Sequence, residues 1–79
     1  MNPIPLPSHI HYELLLQLLE RQTLSAVNQQ PDRREQVNQI IITLRKALAQ
    51  QKQLEASCLQ TNVEIEYRWS LHGSSVESD

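Results

Sequence analysis

The sequence predicts a mainly α-helical fold: an antiparallel helical hairpin followed by one C-terminal β-strand, with the assembly completed by dimerisation. Three observations carry this. Two stretches on either side of Pro31 keep a helical apolar period. The link between them, about four residues, is short enough to make the helices antiparallel neighbours. After Gln60 the period changes from helical to strict alternation. At 79 residues, with 39% hydrophobic content and one Gly, the chain has room for a single small core. The expected division is an extended arm over 1–7, one domain over 8–71 and a disordered tail over 72–79.

The arm carries Pro3, Pro5 and Pro7 at alternate positions, which favours an extended polyproline-like segment and forbids helix. Ile4 and Leu6 between them are apolar, so the arm is expected to pack on its own helices. The competing reading is a recognition peptide for a partner. Ser8 then offers an N-cap for a helix starting at His9. Ile10, Leu14 and Leu18 recur at i, i+4, and Tyr12, Leu15, Leu16, Leu19, Thr23 and Ala26 fill neighbouring rows. That stripe is broader than one facing helix covers. Asn28, Gln29, Gln30 and Pro31 end the pattern near Val27.

Asp32 to Glu35 reads as a capping box that starts the second helix. Val37, Ile40, Ile41, Leu44, Ala47, Leu48, Leu54 and Cys58 keep the period, and no Gly or Pro interrupts residues 32 to 60. The expected helix is about 28 residues and about 42 Å long, against roughly 29 Å for the first. The second helix therefore overhangs, and the overhang holds Leu54, Cys58 and Leu59. A chain this small has difficulty covering such a surface alone, so self-association is expected.

Thr61 and Asn62 supply a turn. Val63, Ile65, Tyr67, Trp69 and Leu71 then alternate with Glu64, Glu66, Arg68 and Ser70, which is a strand pattern rich in β-branched and aromatic residues. A lone strand has unpaired amides and carbonyls on both edges and must find a partner. The arm reads as a poor one, because its prolines cannot donate to a ladder. The remaining candidates are the same strand of a second copy or the sheet edge of another protein. The candidate interface is therefore Val63, Ile65, Tyr67, Arg68, Trp69 and Leu71 on the strand, with Leu48, Leu54 and Leu59 on the second helix. Arg68 is expected to set register, and the aromatics Tyr67 and Trp69 to act as anchors or as local core.

Composition weighs against other functions. Seven Lys and Arg against nine Asp and Glu, a net charge of -2, lack the basic excess typical of nucleic-acid binders. The lone Cys58 forms no intramolecular disulfide and fits a reducing compartment as a buried structural thiol. The N-terminus lacks a secretory-signal pattern, and the longest apolar runs are only three residues, as at Leu14–Leu16, so cytoplasmic location without membrane insertion is expected. His9, His11 and Glu13 are spaced two apart, a set of metal ligands only in an extended segment, and no second His or Cys cluster completes it. The only glycine is Gly73, so there is no glycine-rich phosphate loop. No catalytic or cofactor constellation emerges, and the expectation is a non-enzymatic protein without cofactor or metal. It would be an interaction or adaptor protein whose partners are a second copy and a further, unidentified protein. The alternative is a small dimeric regulatory protein, antitoxin-like or transcription-related, presenting Arg33, Arg34 and Arg45 of the second helix to nucleic acid.

The runs Pro3-Ile4-Pro5-Leu6-Pro7-Ser8-His9-Ile10-His11-Tyr12, Leu14-Leu15-Leu16-Gln17-Leu18-Leu19-Glu20-Arg21 and Ile41-Ile42-Thr43-Leu44-Arg45-Lys46-Ala47-Leu48 resemble a group of short cyanobacterial proteins of unknown function. The resemblance covers the two helices. It implies a cyanobacterial source and a cytoplasmic protein, and it brings no activity or functional residues with it.

Overall fold

The elements run β1 (Ile4–Pro7), α1 (His9–Leu18), a π-helical turn (Leu19–Thr23), α2 (Leu24–Ala26), α3 (Pro31–Gln60) and β2 (Ile65–Arg68) in the computed structural model, which describes residues 2–71. The expected disordered tail over 72–79 lies outside the described residues. Among the described residues the fold is mainly helical with one short pair of strands.

Ser8 caps α1 as its residue type predicts, its hydroxyl accepting from the amide of Ile10 at 3.4 Å. The single helix expected over 9–27 is corrected, because its middle widens into a π-turn in which the Leu24 amide reaches back to the Leu19 carbonyl. The inward row explains the widening. Tyr12, Leu16, Glu20 and Leu24 are spaced by four, so they gain about 0.4 residue per turn on a 3.6-residue helix. One wide turn absorbs that excess and keeps the row facing α3.

The capping box expected at Asp32 and Glu35 does not form. Pro31 takes the first helical position, where its missing amide costs nothing and its φ is already helical. Asp32 therefore lies within the first turn, and the Glu35 carboxylate accepts from Gln39 at 3.1 Å instead. The far end of α3 closes as a Schellman motif, with the amides of Val63 and Asn62 bonded to the carbonyls of Cys58 and Leu59. Asn62 sits at φ 61°, a left-handed position that asparagine tolerates better than most residues.

The expectation of one strand, with the proline arm as a poor partner, is overturned. β1 is the arm, and it pairs with β2 in parallel, Ile4 against Ile65 through Pro7 against Arg68. Only every second residue of a strand turns its amide toward a given neighbour. The prolines occupy the other positions, so every bond the ladder needs is available: the Ile4 amide donates to Glu64 at 2.9 Å and the Ser8 amide to Arg68 at 3.2 Å. β2 is also shorter than the expected 63–71. Its partner ends at Pro7, and the Val63 amide is already spent on closing α3.

A heptad-like stripe of α3 faces the rest of the molecule: Val37, Ile41, Leu44, Leu48, Gln51, Glu55 and Cys58, spaced alternately by four and three, are all buried or half-buried. Contacts from the first helical segment to α3 tie His9 to Glu55, Tyr12 to Gln51 and Glu20 to Arg45. Among the described residues the buried apolar core is only Val37, Ile41 and Cys58, and none of the three is fully enclosed. The shape accounts for that. Extents of 51 × 30 × 13 Å leave no room for a third layer over helices that pack 8–10 Å apart.

Candidate interaction surface

The two edges of the sheet differ in chemistry. The outward positions of β1 are Pro5 and Pro7, which have no amide hydrogen, so that edge cannot accept another strand. On β2 the carbonyls of Glu64 and Arg68 turn toward β1. By alternation the backbone groups of Ile65 and Tyr67 turn to the opposite side, the one edge of this sheet that carries both donors and acceptors.

Beside that edge runs a groove of about 620 Å³ between β2 and the last turns of α3. Leu59, Ala56 and Lys52 form its helical wall, and Val63, Ile65 and Tyr67 form its strand wall. Leu59 is 80% exposed, an unusual state for a leucine flanked by other apolar side chains. A second groove of about 430 Å³ lies at the other end of the strand, where Pro7, His11, Arg68, Trp69 and Leu71 meet.

The expected interface residues thus fall into groups. Val63, Ile65, Tyr67 and Leu59 share the first groove, while Arg68, Trp69 and Leu71 share the second. Leu54 is exposed but lines neither, and Leu48 is half-buried within the α3 stripe. Cys58, placed in the overhang by its position in the sequence, is buried within the chain. Trp69 remains 67% exposed, its ring meeting His11 edge-on at 5.8 Å.

Beneath the strand lies a polar cluster that the apolar periodicity did not single out. Gln51, buried, donates to the Pro7 carbonyl and to Glu55, both at 2.9 Å, and accepts from the Tyr12 hydroxyl at 2.8 Å. His9 meets Glu55 at 2.7 Å and Tyr67 edge-on at 5.6 Å. Burial alone would raise the Glu55 pKa. The hydrogen bonds from Gln51 and His9, the charge of His9 and the Tyr67 hydroxyl together outweigh burial and lower it. At Tyr67, burial and the nearby Glu55 carboxylate raise the phenol's pKa. One cluster thus joins the arm, α1, α3 and β2. Its signal in the sequence was the heptad spacing itself, since Gln51 and Glu55 are the polar members of an otherwise apolar series.

His9, His11 and Glu13 do not converge. His9 turns to Glu55, His11 to the Trp69 ring, and Glu13 is exposed. Among the described residues no three His, Cys, Asp or Glu side chains are grouped to hold a metal ion. The basic residues of α3 are partly engaged, Arg45 with Glu20 and Arg34 with the Asn28 carbonyl at 3.2 Å. No helix among the described residues is long and apolar enough to cross a membrane.

The model of a family of unknown function, DUF5340, matches residues 1–70. An uncharacterized 9.3 kDa protein in the soluble hydrogenase 5′ region of Anabaena cylindrica is 55% identical over 78 residues, covering 96% of this chain and 95% of that protein. No solved structure matches the chain significantly.

Proposed function

Since the chain belongs to DUF5340, a family of unknown function whose match takes in the arm, the helices and the strand, we propose a role read from its surface: a non-enzymatic protein-interaction protein that acts as a homodimer through strand pairing and helix packing. The observation that carries this reading is the asymmetric sheet, closed by proline along β1 and open along β2 beside an apolar groove. A strand added at β2 would satisfy the outward backbone groups of Ile65 and Tyr67 and cover Leu59. The order of the α1 to α3 contacts, His9 with Glu55 but Glu20 with Arg45, supports an antiparallel hairpin as the scaffold. A cytoplasmic location accords with the cysteine usage and belongs to the same proposal.

The test is molecular mass by multi-angle light scattering on the wild type, Trp69→Ala and Ile65→Pro. The expected result is a wild-type dimer and monomeric variants that keep their helical circular dichroism. Ile65→Pro removes a donor from the open edge and leaves the bonds from Ile4 and Ser8 in place. Wild-type mass in both variants would remove the strand as the interface. Salt-sensitive DNA binding at low ionic strength would instead favour the regulatory reading through Arg33, which is exposed, and its neighbours.

A further inference from the structure

We infer that the occupant of the open β2 edge is β2 of a second copy, antiparallel, with Tyr67 on the two-fold axis and Glu66 of each copy opposite Arg68 of the other. This inference rests on the strand-pairing reading and adds its register. In an antiparallel pair, residues with outward backbone groups must face one another. On β2 those are Ile65 and Tyr67, so a two-fold axis through this strand passes near Ile65, Glu66, Tyr67 or Arg68. An axis at Ile65 sets Glu64 opposite Glu66 twice, an axis at Glu66 sets its two carboxylates directly opposite, and an axis at Arg68 sets two guanidinium groups opposite; each of these contacts is destabilising. An axis at Glu66 also brings Glu64 opposite Arg68, but only the axis at Tyr67 pairs opposite charges, twice by symmetry, without setting like charges opposite each other.

Arg68 supplies an independent reason. Its Nε is buried without a hydrogen-bond acceptor, 3.3 Å from a Glu66 oxygen but misaligned, and its Nη2 contact to Glu66 is long at 3.5 Å. A carboxylate arriving from across the edge gives this guanidinium the acceptor that a neighbour two residues along its own strand supplies poorly. The same register brings the partner's Trp69 opposite Ile65, at the groove where Leu59 is 80% exposed. A 67% exposed tryptophan and an exposed leucine then cover each other.

The experiment uses Glu66→Arg and Arg68→Glu, alone and mixed in equal amounts. Each variant alone places like charges opposite at both positions, and its dimer dissociation constant should rise by about tenfold or more. The mixture should restore assembly as a heterodimer, because every cross-strand pair is again of opposite charge while the Glu66–Arg68 pair within each chain stays broken. Rescue in the mixture therefore reports contacts between chains. As a second readout, Tyr67→Cys should cross-link under mild oxidation, since opposed residues of a bonded pair lie about 5.5 Å apart, within disulfide range. Glu66→Cys should not. Single variants that dimerise like the wild type, or a mixture that stays monomeric without Tyr67→Cys cross-linking, would overturn the register. In that case, loss of the dimer in Trp69→Ala would leave the broader strand-pairing reading standing. A monomeric wild type would overturn both.

Discussion

Gln51 stands where the α3 stripe would otherwise place an apolar side chain, and its amide bridges three elements: the arm through Pro7, α1 through Tyr12 and its own helix through Glu55. A buried amide with its partners in place costs little, whereas one left unpaired costs on the order of 1 to 3 kcal/mol. The cluster therefore favours one seating of the arm over others. Glu55 makes that seating depend on pH. Its folded pKa lies below its ordinary value, so its contribution to stability is complete above the unfolded carboxylate value of about 4.3 and is lost as pH falls through the lowered folded value. Glu55→Gln should accordingly be less stable than the wild type at pH 7, with the gap narrowing below about pH 4. Urea midpoints at both pH values check this, and a gap that widened in acid would contradict the sign.

At the scale of the elements, β1 uses proline to choose its neighbour. Ile4, Leu6 and Ser8 point toward β2, and Pro5 and Pro7 leave the outer side without donors. Replacing Pro5 and Pro7 by threonine would restore amide donors on that outer edge and raise strand propensity. The expected outcome is growth of the assembly beyond the wild-type mass, seen by light scattering as larger or polydisperse species. An unchanged mass would mean that features other than proline protect this edge. The parallel pairing also makes the helical segment from α1 to α3 the crossover connection between the strands. The last turns of α3 thereby come to lie beside β2.

The whole molecule is elongated, with a radius of gyration of 16.2 Å against about 11 to 12 Å for a compact chain of this length. A thin body buries little, and Ile10, Leu14 and Leu18 remain 47%, 66% and 48% exposed along one row of α1. Stability then depends heavily on a few positions. Ile41→Ala should cost about 2 to 5 kcal/mol, a large share of a total that for small domains is of order 5 to 15 kcal/mol. Leu14→Lys should change stability by about 0.5 kcal/mol or less. Thermal denaturation of the two variants checks the contrast; equal losses would show that the exposed row of α1 is covered in solution.

Much of this architecture follows from local pattern. Ser8 as a cap, the long period of Val37, Ile41, Leu44 and Cys58, the turn at Asn62 and the alternation around Ile65 and Tyr67 all depend on neighbours within a few residues, and all were legible. The candidate surface was legible to the same degree: Ile65, Tyr67 and Leu59 could be named, but not the groove they share. What the chain order could not convey was which distant segment meets which. Counting prolines made the arm a poor strand, yet a ladder tests only alternate amides, and the prolines occupy the positions it does not test. Gln51 and Glu55 look like solvated residues until Pro7, Tyr12 and His9 arrive to bond them. Local spacing is written by steric and hydrophobic rules acting along the chain. Pairing across some 60 residues is decided by which backbone and polar groups can be satisfied together, and that is settled only when the elements pack.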